Sequence, residues 1–180
     1  VTTHEAALSP DEESSLTPPS GSTTEGNYEV SEAYTGLRNL ILELTPDSLG
    51  LDAASDSQVI GMLMETGYPD AVVTLVAVWD GAASLYFSNG GGIIGAGEHE
   101  SVALVSKALV ACAGEYLSAA SLTEEFPPPA KGNVRFYFVT KGGVYTAEAD
   151  EDDLGNNRHS FSKLFYKGHE LITAIREHSE

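Results

Sequence analysis

Leu37, Leu40, Ile41 and Leu44 recur at the three- and four-residue spacing of one helix face, behind Ser31 as an N-cap and ahead of a stop at Thr45-Pro46. The spacing predicts an opening helix that packs one side. A second, short helix is expected with Ser57 as cap, Val59, Ile60, Leu63 and Met64 as its apolar set, and Gly67-Tyr68-Pro69 as its exit. Met62 and Met64 read as gap-filling core rather than as ligands. The period then shortens. Ala71 to Trp79 is valine-rich, Asp80-Gly81 is a two-residue hairpin turn, and Ser84 to Ser88 continues as a partner strand. Asn89-Gly90 followed by Ile93-Ile94 predicts a third brief strand, and with it a meander.

From Glu98 to Ala120 a long helix is expected, in which Val102, Val105, Leu109, Cys112 and Tyr116 alternate in steps of three and four. Ala103, Leu104, Ala108, Val110, Ala111 and Ala113 make it apolar almost all round, more than one buried face needs. It reads as a central helix or part of an oligomer interface, with Val102, Val105, Leu109 and Tyr116 as the interface residues. After Pro127-Pro128-Pro129, Val134 to Thr140 and Val144 to Ala149 form a second hairpin around Lys141-Gly142-Gly143. Val134, Phe136 and Phe138 share one of its faces, and Arg135, Tyr137 and Val139 the other. Asp150 to Asn157 reads as an acidic loop, and a final helix runs from Arg158 to Glu177 with Phe161, Leu164, Phe165, Ile172 and Ile175 inward. The order α-α-βββ-α-ββ-α predicts an α+β domain over residues 31–180, an antiparallel sheet of about four to five strands covered by helices.

Residues 1–30 depart from this pattern. They are rich in Ser, Thr, Pro and Glu, hold no Lys or Arg, and offer too few large apolar groups to offset the entropy of ordering, so a disordered acidic tail is expected. The remaining 150 residues suit one domain. The longest apolar run, Ala71 to Trp79, is far too short to cross a bilayer, and no charged and then apolar leader stands at the N-terminus. No membrane partner and a cytoplasmic location are therefore expected.

Charge narrows the partners. The net charge of −18 is uneven, because residues 1–106 hold sixteen acids against the one base Arg38, while residues 107–180 hold eleven acids and eight bases. Such a chain repels nucleic-acid phosphates and anionic lipid, which bind clustered Lys or Arg. Nucleic acid is excluded most firmly. A basic protein partner suits this charge better, and the one local basic cluster, Arg158, Lys163 and Lys167, with the two lysines one turn apart, reads as a solvated face or as a dock for the acidic first half in a dimer.

Catalytic and metal signatures are incomplete. Gly90-Gly91-Gly92-Ile93-Ile94-Gly95 fits the letters of a dinucleotide-binding loop, and Gly90, Gly91, Gly92 and His99 are the candidate ligand-binding residues. The predicted helix starts several residues too late, at Glu98-His99-Glu100, and two carboxylates in its first turn would repel a phosphate. Neither His99-Glu100 nor His169-Glu170 is followed by the second histidine of a zinc motif, and Asp150 to Asp153 lacks the spacing of a calcium loop. Cys112, the only cysteine, sits among apolar residues and reads as a buried thiol. Neither a metal nor a cofactor is expected.

Taken over residues 31 to 178, this order of helix, meander, apolar central helix, hairpin and final helix resembles two groups of small domains. One is the roadblock and profilin-like group, whose resemblance implies a noncatalytic scaffold or GTPase-regulator subunit that dimerises. The other is the type III secretion chaperones, whose resemblance implies a small acidic dimer that holds unfolded segments of a secreted protein. The resulting expectation is a noncatalytic adaptor-like module that homodimerises. The alternatives are a small-molecule binding protein or enzyme using the Gly90 to Gly97 loop, and an acidic chaperone of a secreted protein.

Overall fold

Val59 to Gly67 are nine consecutive buried residues, and they form a strand, β1, in place of the short helix their spacing predicts. The reason is position. A central strand covered on both faces shows no polar alternation, so its apolar run has the same periodicity signal as a buried helix. Glu65 and Leu63 face one side of the sheet and Met62 and Met64 the other, while a register shift between Val59 and Gly61 turns Ile60 toward the side of Leu63.

The computed structural model describes residues 27–51 and 54–179, so most of the predicted tail lies outside the described residues. The meander is present as β2 (Val72–Val78), β3 (Ala83–Phe87) and β4 (Gly92–Ile93). A three-residue strand, β5 (Ser121–Thr123), has no counterpart in the sequence reading, and the second hairpin is β6 (Asn133–Thr140) with β7 (Gly143–Asp150). All pair antiparallel in one seven-stranded sheet of order β4-β3-β2-β1-β6-β7-β5. The α+β class therefore holds, and the sheet exceeds the expected four to five strands through β1 and β5.

Helices cover both faces. On one side α2 (Glu100–Ala113) and α4 (Ser162–Glu177) pack on Met62, Met64, Leu75, Leu85, Phe136 and Phe138. On the other, α1 (Glu32–Leu42) covers Ile60, Leu63, Val76 and Tyr137. Ser31 caps α1 as expected, its hydroxyl accepting from the Tyr34 amide at 3.2 Å. The buried stripe of α1 is Tyr34, Arg38 and Leu42, whereas Leu40 is 65% exposed and lies outside the face first assigned to it. The expected long helix stops at Ala113 and continues as a 3₁₀ segment, Gly114–Ala119. The expected acidic loop opens with a short helix, α3 (Glu151–Gly155), capped by Asp150, which accepts from the Asp153 amide at 3.1 Å. In α4, Gly168 and Leu171 are buried and Ile172 is only half-buried.

A polar cluster locks α1 to the sheet. Arg38 Nε and Nη2 donate to the two oxygens of Glu65 at 2.7 and 2.9 Å, and Nη1 donates to the Phe126 carbonyl at 2.8 Å. Tyr34 and Thr74 donate to Glu65 Oε1 at 3.3 and 3.1 Å. Both carboxylate oxygens thus meet donors, three on Oε1 and one on Oε2, as a buried carboxylate requires. Burial alone would push the Arg38 guanidinium's pKa down, but the hydrogen bonds and charge of Glu65 outweigh it and hold the cation more firmly than usual.

Candidate functional site

The glycine run is used by the backbone. Gly90, Gly91 and Gly92 have φ of 108°, 83° and 148°, where only glycine sits without strain. The Gly90 amide donates to the Phe87 carbonyl and the Phe87 amide to that of Gly91, closing the turn between β3 and β4. A Cβ at Gly92 would stand 2.5 Å from the Leu85 carbonyl oxygen. A hollow of about 280 Å³ does lie nearby, lined by Asp80, Gly81, Ala82, Gly95, Gly97 and Glu98, but it includes neither Gly90 to Gly92 nor His99. Its two acids face no base in that lining. His99 is exposed at the N-cap position of α2 without a capping bond, its ring 4.9 Å from that of His178. Ser101 Oγ lies 3.0 Å from His178 Nε2, and His178 Nδ1 lies 2.9 Å from the Ala174 carbonyl, a solvent-exposed pair with no carboxylate hydrogen-bonded to the histidine among the described residues. Among the described residues, no group of three or more His, Cys, Asp or Glu is placed to hold a metal ion.

Helix α2 and the 3₁₀ segment after it divide the four candidate interface residues. Val102 and Leu109 are buried in the chain's own core, while Val105 and Tyr116 are half-buried against it. The outward stripe is instead Leu104, Ala108 and Ala111, at helical spacing, with Leu104 61% exposed. Together with the 3₁₀ segment, Glu100 to Ala119 is long and apolar enough by length and composition to span a membrane, and only 28% of its most apolar 18-residue stretch is buried. Between α2 and α4 runs a groove of about 200 Å³ lined by Leu104, Val105, Ala108, Leu109, Lys167 and Glu170. The charges of Lys167 and Lys163 reach Cys112, in the last turn of α2, while Glu98 and Glu100 stand at its start. Burial, then Glu115, outweighs those lysines and pushes the Cys112 thiol up, keeping it protonated and unreactive. Leu104, Ala108 and Ala111 are as apolar in the sequence as the inward stripe, so spacing alone does not say which stripe meets the sheet.

A larger hollow, of about 600 Å³, lies between α3 and α4 and escapes the sequence reading, which takes its acidic side for a loop. Glu151, Asp152, Gly155, Asn156, Phe165, Tyr166 and His169 line it. Burial first, and then Asp152 and Asp150, raise the Glu151 carboxyl above its ordinary pKa. Burial lowers His169, whose Nε2 is buried without a hydrogen-bond partner. Both shifts come chiefly from burial against the wall of this hollow. No protein-family model matches this sequence, and no curated protein or solved structure is significantly similar to it.

Proposed function

We propose that this domain is a noncatalytic protein-interaction module that homodimerises through the outer face of α2. The observation that carries this reading is Leu104, 61% exposed in line with Ala108 and Ala111, on a helix whose opposite side is spent in the core. The placement of charge supports the same reading. In an antiparallel two-fold pairing, Glu98 and Glu100 at the start of one α2 meet Lys163 and Lys167 beside the end of the other. Leu104 of each copy then enters the other's groove at Val105, Ala108 and Leu109. The resemblance to dimeric roadblock and profilin-like domains and to secretion chaperones supports the same reading. The ligand-site alternative at Gly90 to Gly97 draws less support, because the turn and strand pairing already account for those glycines.

Sedimentation across protein concentration tests it. The parent chain is expected to dimerise, and Leu104→Lys to shift it to monomer while keeping the parent's circular dichroism spectrum, since Leu104 is outside the core. A parent that stays monomeric at every concentration, or a variant that dimerises equally well, overturns the proposal.

A further inference from the structure

The hollow between α3 and α4 has two unlike sides. Along α4, Phe165, Tyr166 and His169 form an aromatic wall, with Tyr166 44% exposed. Across from it α3 brings the carboxylates of Glu151 and Asp152, and Asn156 adds an amide. Tyr68, 41% exposed, lies close enough to feel the charge of Glu151.

The charge of this site is unbalanced. Asp153 pairs with Arg158 at 2.9 Å, but neither Glu151 nor Asp152 has an ion-pair partner among the described residues. Arg176, whose charge reaches Tyr68, pairs with neither. The wall brings no cation of its own either, because burial holds His169 below its usual pKa and leaves the ring neutral near pH 7. The hollow therefore presents aromatic faces and unneutralised carboxylates together, and both attract a cation carried on an apolar stem.

We propose that this hollow receives a Lys or Arg side chain of a basic partner protein, its stem along Phe165 and Tyr166 and its charged head at Glu151 and Asp152. Charge complementarity selects this occupant. A chain of net charge −18 accumulates basic partners, and in this hollow the exposed Tyr166 stands beside carboxylates that have no ion-pair partner among the described residues. The surface is distinct from the groove of Leu104, so the proposal stands or falls separately from dimerisation.

The test is an NMR titration of the full chain with three probes: N-acetyl-arginine amide, its neutral analogue N-acetyl-citrulline amide, and agmatine. The arginine probe is expected to shift the resonances of Asn156, Phe165, Tyr166 and His169, and the citrulline probe to leave them in place. Glu151→Gln and Asp152→Asn are each expected to weaken the arginine probe roughly tenfold, the loss of one charge-assisted hydrogen bond. Both side chains are at the surface, so either variant keeps the proposal testable should the other fail to fold. Equal shifts from citrulline, or affinity unchanged in both variants, overturn it. Agmatine binding more tightly than the capped amino acid also overturns it, by pointing to a free small amine instead of a protein side chain.

Discussion

Glu65 shows how much one residue can decide in this fold. It lies on the central strand with no solvent exposure, and its partner Arg38 is the only base among the first 106 residues. Removing one member leaves the other charged, buried and unpaired, so Glu65→Ala is expected to destabilise the protein by about 3–5 kcal/mol. The double change Arg38→Met with Glu65→Leu removes both charges, and is expected to recover most of that loss in chemical denaturation. A double variant as unstable as the single one would show that the pair's carbonyl and hydroxyl contacts, rather than its charges, hold α1. Arg38 and Glu65 are both visible as sequence letters. Their pairing is not, because Arg38 falls on the buried stripe only when α1 turns Tyr34 and Leu42 inward, and Glu65 only when residues 59–67 form a strand.

At the scale of elements, the tight places are where glycine permits close approach. A Cβ at Gly97 would lie 2.3 Å from the Gly81 carbonyl oxygen, where a hairpin turn abuts the entry to α2, and that backbone has nowhere to go. At Gly168 in α4 the clash is with the end of the Met64 side chain at 2.6 Å, which can rotate aside. Gly97→Ala is accordingly expected to lower stability by roughly 1–3 kcal/mol, and Gly168→Ala by less, in thermal unfolding of the two variants side by side. The hairpins are legible because Asp80-Gly81 and Lys141-Gly142-Gly143 are turn signals flanked by β-rich runs. The alternation of Phe136 and Phe138 against Tyr137 and Val139 is legible for the same local reason, and the two sets do fall in separate cores. β5 is not legible, since three residues pairing with β7 carry no periodicity of their own.

Across the whole molecule, burial has a consequence at high pH. Burial, and next the charge of Glu65, raises the phenols of Tyr34, Tyr86 and Tyr137 above their ordinary pKa, Tyr137 to about 12. Folded values above unfolded ones mean that their contribution to stability is complete below about pH 10. It is lost as pH rises through the folded values. Tyrosinate absorbance and circular dichroism recorded together should show these three phenols ionising in step with unfolding, and free ionisation ahead of it would contradict their placement. By itself the sequence determined the α+β class, two hairpins, the Ser31 cap and the acid excess, because each follows from local spacing or composition. Only the tertiary structure decided that residues 59–67 are the central strand, which stripe of α2 faces water, and that Glu151 and Asp152 share a hollow with Phe165, Tyr166 and His169. Those facts depend on which surfaces cover one another, and an apolar segment buried on every side carries no polar marker of its direction.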